Sequence, residues 1–122
     1  MKDKVALVTG GASGIGEGTV WKFVEEGARC VVVDLQIERA QALVEELGDT
    51  CLAFAAAVAS EEGVAGAVDF SVEKFGKLDI VFNNAGILGS VGPIKDISSE
   101  GWHRTIDVLL SSVFFGIKHA VE

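Results

Sequence analysis

The sequence predicts an α/β fold in three layers, α/β/α, with a doubly wound parallel sheet between two layers of helices. Two features of the 122 residues indicate this fold. Short β-branched runs alternate with longer amphipathic runs, and glycines stand where a run ends. Such alternation is typical of βαβ units with right-handed crossovers, which place the strands parallel in one sheet. We therefore expect four strands in the order 3-2-1-4.

Two strand–helix pairs are predicted before residue 50. The apolar runs at residues 4–9 and 29–34 are short and uninterrupted, as expected of strands buried on both faces. Residues 14–27 carry apolar side chains at helical spacing and end on a glycine. Residues 40–47 give one apolar helix face, and Gly48 stops that helix.

The third pair has a weaker strand, at residues 50–55, and a clearer helix. Ser60 is a favourable N-cap, and the two glutamates after it complement the helix dipole. The helix ends at Gly76, and its inward face is predicted to consist of Val64, Val68, Val72 and Phe75.

The remaining residues predict a fourth strand at 78–82, a loop at 83–98 and one long helix at 99–122. The main apolar stripe of that helix covers an arc of about 140°. It consists of Trp102, Ile106, Leu109, Leu110, Val113, Phe114, Ile117 and Val121.

A second apolar patch on this helix, Val108 and Phe115, lies nearly opposite the stripe. Covering a sheet needs only one stripe, so residues 101–122 are a candidate contact with another subunit, identical or different. Scattered surface apolar residues are the alternative. The outer edge of the fourth strand also lacks a neighbour, which predicts low stability of this chain alone or association through that edge.

Composition limits the class of protein. The hydrophobic fraction of 49% and the charged fraction of 23% indicate one globular domain, residues 1–122. The net charge of −8 argues against nucleic acid or anionic lipid as partners. No apolar run approaches the ~20 residues of a membrane span. The absence of a signal-peptide pattern and the placement of Cys30 and Cys51 in apolar runs, as buried free thiols, predict a cytoplasmic protein.

A glycine-rich turn joins the first strand to the first helix. It contains Gly10, Ser13, Gly14, Ile15 and Gly16, with the spacing G-x-x-x-G-x-G. Backbone N–H groups of such a turn can face an anion, and glycine lets the backbone approach a pyrophosphate closely. The alternative is a tight turn that binds nothing.

Asp34 ends the second strand, 18 residues after Gly16. In a dinucleotide-binding βαβ unit, a carboxylate here accepts hydrogen bonds from the adenosine ribose hydroxyls. It would repel a 2′-phosphate, and neither Leu35 nor Ser13 supplies a compensating positive charge. We therefore expect NAD, with NADP the less favoured cofactor. A turn or helix cap is the alternative for this aspartate.

Asn84, Ala85 and Gly86 follow the fourth strand. Ligands of open α/β sheets bind at the carboxyl ends of the strands. There an amide can serve bound hydroxyls and a glycine leaves room for a flat ring. A turn rich in asparagine and glycine is the alternative.

Together these motifs resemble the short-chain dehydrogenase/reductase family, whose members have a Rossmann-like fold. The resemblance covers the whole chain and implies the NAD-binding first half of such an enzyme, truncated at its C-terminus. The family reaction transfers a hydride between nicotinamide and a carbonyl or secondary alcohol. The implied cofactor-binding residues are Gly10, Ser13, Gly14, Ile15, Gly16, Asp34, Val58, Asn84, Ala85 and Gly86.

Three departures from the family pattern bear on function. Ala57-Val58 replaces the usual Asp-Val, which removes one hydrogen bond to adenine, worth about 1 kcal/mol, while Val58 can still pack on the ring. Leu109 replaces the asparagine that commonly holds a relay water. The family's Tyr-x-x-x-Lys pair is absent, since the chain contains no tyrosine, and none of its serines matches the family's serine position. We therefore expect no catalytic residues here and no turnover by this chain alone.

No other catalytic or metal-binding set is apparent. His103 and His119 are 16 residues apart and are expected to be solvated or packed. Three functions stay open: the NAD-binding portion of an oxidoreductase, a non-catalytic NAD-binding module, and an interaction partner of full-length relatives. Titration with NADH separates the first two from the third, and a dehydrogenase assay separates the first from the second.

Overall fold

The fold is described by a computed structural model for residues 1–121. The strands are β1 (Val5–Thr9), β2 (Arg29–Asp34), β3 (Cys51–Ala55) and β4 (Ile80–Phe82). The helices are α1 (Gly14–Glu25), α2 (Ile37–Leu47), α3 (Glu61–Phe75), α4 (Ser99–Ile106) and α5 (Ser112–Ala120). All strand pairs are parallel and the order is β3-β2-β1-β4, which confirms the predicted fold class.

The two central strands are buried on both faces. Every residue of β1 is buried, as are the four central residues of β2. Their side chains alternate between two hydrophobic clusters, one beneath α1 and α2 and the other beneath α3. This double burial explains why both strands are uninterrupted apolar runs in the sequence.

Several predicted boundaries need correction. β4 begins at Ile80 and not at residue 78, and β3 begins one residue late because a 3₁₀ turn occupies Gly48–Thr50. Val72 is not on the inward face of α3, since 46% of its surface is exposed, whereas Ser71 is fully buried. Val72 lies about 80° around the helix from Val64, at the edge of the buried face.

The last helix is not a uniform α-helix. A π-helical turn at Asp107–Ser111 joins α4 to α5, and Glu122 lies outside the described residues. The Ser112 hydroxyl donates to the Val108 carbonyl at 2.6 Å, an oxygen that would accept the Ser112 N–H in a regular α-helix. The Ser112 N–H bonds instead to the Asp107 carbonyl, so the hydroxyl and the backbone N–H use different acceptors.

The predicted apolar stripe on this helical segment is largely uncovered. Exposed fractions are 59% for Trp102, 63% for Leu110, 59% for Phe114, 55% for Ile117 and 75% for Val121. No helix within residues 1–121 is long and apolar enough to cross a membrane.

The two cysteines are free and buried, as predicted. They lie opposite each other on neighbouring strands, Cys30 in β2 and Cys51 in β3. The hydrogen bond with the Cys51 thiol, followed by burial, raises the pKa of Cys30 well above its usual range. At neutral pH this thiol therefore behaves as a small hydrophobic group of the core.

Candidate functional site

A cleft of about 540 Å³ opens at the carboxyl ends of the strands. Loops that follow all four strands line it, together with Arg104 and Val108 of the last helical segment. Its volume lies in the range of small-molecule and cofactor sites, roughly 300–1,000 Å³. Eight of the ten predicted site residues line it, namely Gly10, Ser13, Ile15, Asp34, Val58, Asn84, Ala85 and Gly86.

Gly10 begins the glycine-rich turn in a conformation that only glycine adopts readily, with φ of 64°. A β-carbon added there would lie 2.9 Å from the Cα of Ala85. The turn after β1 therefore packs directly against the loop after β4, and any side chain at residue 10 would separate them.

Gly14 and Gly16 do not line the cleft. Gly16 is buried, and a β-carbon there would collide with the Gly10 carbonyl oxygen and the Asn84 amide. Gly14 has φ of 56° and open space around it, so its conformation alone favours glycine. These two residues shape the turn and bring α1 close to it.

The N-terminus of α1 has no side-chain cap. Ser13 occupies the N-cap position but its hydroxyl accepts no bond from the helix, whereas Ser60 and Ser98 cap α3 and α4 through the N–H groups of Gly63 and Gly101. The first N–H groups of a helix have no partner within it. At α1 these groups and the positive end of the helix dipole stand beside the cleft and can bind an anion.

The Asp34 carboxylate is held by two backbone N–H groups. Its Oδ2 accepts from Ala12 at 3.1 Å and its Oδ1 accepts from Gln36 at 3.0 Å. Within residues 1–121, no lysine, arginine or histidine pairs with this carboxylate. Asp34 thus closes a turn, as the alternative interpretation stated, and also lines the cleft with lone pairs that can accept from ligand hydroxyls.

Asn84 faces the protein more than the cleft. Its Nδ2 donates to the carbonyl oxygens of Thr9 at 3.1 Å and Gly10 at 3.3 Å. The Thr9 hydroxyl in turn accepts the N–H groups of Asn84 and Ala85, at 3.0 and 3.1 Å. The Nδ2 group therefore joins the loops after β1 and β4, and its N–H groups are used within the protein and not by bound hydroxyls.

Sequence reasoning missed Thr9, Gln36, Arg104 and Val108. Thr9 is a buried polar residue that ends an otherwise apolar strand, and this was its one signal in the sequence. Arg104 and Val108 reach the cleft from a distant helical segment, and no local pattern indicates that contact.

The side chain of Leu109 lies against the loop after β4. A β-carbon added at Gly86 would be 3.4 Å from its Cδ2. An apolar contact therefore occupies the position where the family resemblance implies an asparagine, and Leu109 cannot hold a water by hydrogen bonding.

The two histidines do not form a site together. His103 is exposed, and His119 Nε2 lies 3.0 Å from Glu61 Oε1. Among residues 1–121, no group of three histidine, cysteine, aspartate or glutamate side chains is placed to hold a metal ion.

A dinucleotide fits the groups that surround the cleft. Gly10 lines the cleft and lets the turn pack against the loop after β4, the uncapped α1 offers N–H donors to a pyrophosphate, and Asp34 offers acceptors to a ribose. Residues 56–59 add an apolar wall.

Comparison with known proteins is consistent with this geometry. A family model described as short chain dehydrogenase matches residues 4–122. Cyclohexanol dehydrogenase of an Acinetobacter strain is 44% identical over 98% of this chain and 49% of its own length. Zerumbone synthase of Zingiber zerumbet is 45% identical over 100% of this chain and 47% of its own length.

Solved structures agree closely. The 3-ketoacyl-(acyl-carrier-protein) reductase of Brucella melitensis, complexed with NADH, superposes with a TM-score of 0.94 at 37% identity. The match covers 98% of this chain and 50% of the reductase chain. The chain spans about half the length of the curated relatives it matches.

Proposed function

This chain belongs to the short-chain dehydrogenase family, and from that premise we propose that residues 1–122 form one NAD-binding domain unit of an oxidoreductase. The observation that carries the proposal is the uncapped N-terminus of α1, which opens on a cleft beside Asp34. Anions bind readily at such helix ends, and the carboxylate is one strand away, as dinucleotide recognition requires.

The proposed arrangement follows the order of the loops. The pyrophosphate lies at the start of α1, where Ser13 and Ile15 line the cleft, and Gly14 and Gly16 shape the turn around it. Asp34 accepts from the adenosine ribose, and Val58 packs on the base. Ala85 and Gly86, held in place by Asn84, line the part of the cleft toward the nicotinamide half. When bound, NAD supplies a nicotinamide ring that accepts or donates a hydride.

NAD is the proposed cofactor because of the charge beside the ribose site. Asp34 is unpaired with any cation among residues 1–121, so a 2′-phosphate would meet its negative charge directly. Among residues 1–121, Arg104 is the one cationic side chain that lines the cleft, and it comes from a different element.

Proton transfer is not assigned to these 122 residues, which contain no tyrosine. We propose that this chain binds NADH without turning over a carbonyl or alcohol. The relatives named above include a dehydrogenase, a reductase and a synthase. The proposed substrate class is accordingly a carbonyl compound or an alcohol. The two free, buried thiols support the reducing cytoplasm as its location.

Isothermal titration with NADH and NADPH tests the proposal. NADH is expected to bind more tightly than NADPH. Asp34→Ala is expected to weaken NADH binding and to reduce the difference in affinity between NADH and NADPH. A matched control is Asp79→Ala, which removes a carboxylate from the opposite end of the sheet. Absence of any heat with NADH at high micromolar protein would reject cofactor binding, and alcohol oxidation by purified chain would reject the inactive assignment.

A second candidate function is association with another protein chain. The exposed apolar stripe within residues 101–121 favours it, since such a patch on a soluble surface commonly marks an interface. Sedimentation equilibrium of the wild type and of Phe114→Ser measures it. A monomer at all concentrations would contradict homo-oligomerisation through this helix, and mixing with a full-length relative tests hetero-oligomerisation.

A further inference from the structure

The cleft has an apolar wall on the side of β3. Residues 56–59, which lead from β3 into α3, are three alanines and Val58. None of these side chains donates or accepts a hydrogen bond. A flat base placed here meets methyl groups, which provide apolar contact area and form no hydrogen bonds with the polar groups on the ring.

Arg104 and Val108 line the same cleft from the last helical segment. No carboxylate within residues 1–121 pairs with Arg104, although the chain carries a net charge of −8. A guanidinium that lines a cleft and lacks an anionic partner is suited to stack on an aromatic ring. Protein-bound bases are commonly held in this way.

Helix α3, which follows the apolar wall, contacts the helical segment that carries Arg104. Glu61, the first residue of α3, accepts hydrogen bonds from Lys118 and His119 of α5. The residues before α3 and the helical segment that carries Arg104 therefore belong to one packed unit. The apolar wall and the guanidinium are parts of one site.

The other polar side chain near Asp34 in this part of the cleft is Gln36. A carboxamide has both an acceptor and a donor end, so it can serve an amino or an oxo group by turning over. Arg104 donates only and cannot accept from an amino group. Apart from Asp34, which the proposed function assigns to the ribose, no side chain of residues 1–121 that lines this part of the cleft is a dedicated acceptor for the 6-amino group of adenine.

We propose that this end of the cleft holds purine bases by apolar packing and by Arg104, and does not distinguish a 6-amino from a 6-oxo purine. The inference rests on the proposed function, because it takes the nucleotide site as given. Arg104 then contacts the base directly and sets the affinity, and the side chain at residue 57 sets the range of bases that bind.

Calorimetric titration of the full chain tests this with NADH, reduced nicotinamide hypoxanthine dinucleotide and NADPH. In the wild type the first two dissociation constants should differ by less than about threefold, which is under one net hydrogen bond. Ala57→Asp supplies an acceptor and should create a preference for NADH of about fivefold or more. Arg104→Met should weaken the binding of NADH and of the hypoxanthine dinucleotide by about three- to tenfold, with the ratio of the two dissociation constants unchanged. Arg104→Lys should weaken the binding of both dinucleotides less.

The outcomes distinguish failure of this inference from failure of the proposed function. Failure of NADH to bind the wild type overturns the proposed function and this inference with it. If the wild type binds NADH more than tenfold more tightly than the hypoxanthine dinucleotide, this inference is wrong and the proposed function stands. If Arg104→Met weakens NADPH and leaves NADH unchanged, Arg104 serves a phosphate and the stacking role is wrong. If it changes none of the three, Arg104 takes no part in the site.

Discussion

Two aspartates at opposite ends of the sheet are held alike by the backbone and differ in their charged surroundings. Asp34, at the carboxyl end of β2, accepts from the Ala12 N–H at 3.1 Å, and Asp79, just before β4, accepts from the Val5 N–H at 2.9 Å. Asp79 also pairs with Lys77 at 3.0 Å and with Lys4 at 3.9 Å. Asp34 has no such cation among residues 1–121.

Asp79 is thus a carboxylate that stabilises the fold, whereas Asp34 is available to bind a ligand. At the amino end, backbone and lysines together satisfy the charge, and nothing remains to attract a ligand. At the carboxyl end the protein orients the carboxylate and leaves its charge uncompensated. The helix starts repeat the contrast, since Ser60 caps α3 while Ser13 leaves α1 uncapped.

The largest expected effect comes from Gly16→Ala, which disturbs the carboxyl end through packing. The new β-carbon would collide with the Gly10 carbonyl and the Asn84 amide, so α1 must move away from the turn. We expect a loss of about 1–3 kcal/mol in the free energy of unfolding, as for other overpacked sites. NADH affinity in calorimetry should fall by more than about tenfold, the equivalent of 1.4 kcal/mol.

Gly18→Ala is the matched control for that variant, because it lies in the same helix with nothing within 4 Å of the added carbon. Alanine in a helix interior should raise the unfolding free energy by about 0.5–1 kcal/mol and leave NADH binding unchanged. Equal effects of the two variants in chemical denaturation would show that α1 does not pack closely on the turn.

Asp34→Asn should have the next largest effect, on ligand binding. The amide keeps one acceptor oxygen and loses the charge, so NADH affinity should fall by about tenfold or more, as expected for a charged hydrogen bond. Asp79→Asn should lower stability and leave NADH affinity unchanged. Comparable losses of affinity in both variants, measured side by side by calorimetry, would remove the distinction between the two ends.

A smaller effect compares the two helix starts. Ser60→Ala removes the acceptor of the Gly63 N–H, which lies 3.2 Å from the hydroxyl, and should lower the unfolding free energy by about 1 kcal/mol. Ser13→Ala should change stability little, because the Ser13 hydroxyl caps nothing. A similar loss from Ser13→Ala in urea denaturation would show that this hydroxyl does cap α1.

Local patterns were sufficient to predict the sheet and its helices. Strands buried on both faces must be apolar throughout, so β1 and β2 are visible as runs, and Ser60 and Gly76 mark the ends of α3. The π-helical turn was not predictable in this way, because no local pattern distinguishes it from the α-helical turns on either side.

Cleft residues that belong to local sequence motifs were predicted, and those that are distant in sequence from these motifs were missed. The glycine turn and Asp34 belong to one βαβ unit and carry a recognisable spacing. Arg104 and Val108 are separated in sequence from the glycine turn and Asp34 by several helices and strands. The helical segment after β4 brings them to the cleft. The inward role of Asn84 likewise depends on Thr9, 75 residues earlier.

The smallest expected effect is a pH dependence at the amino end. The Val5 N–H, followed by Lys77 and Lys4, holds the pKa of Asp79 below its ordinary value. A carboxyl whose folded pKa lies below its unfolded value, about 3.9, stabilises the fold above that pH. Its contribution is lost as the pH falls through the folded pKa, because protonation then costs the folded state its ion pairs.

Denaturant unfolding of wild type and Asp79→Asn at several pH values measures that contribution. The stability difference between the two proteins should be fully present at pH 7 and should shrink steadily below about pH 4. The lysines are partly solvated, so added salt should also reduce it. A difference that persists unchanged at pH 2 would mean that Asp79 does not act through its charge, and the electrostatic contrast with Asp34 would then be wrong.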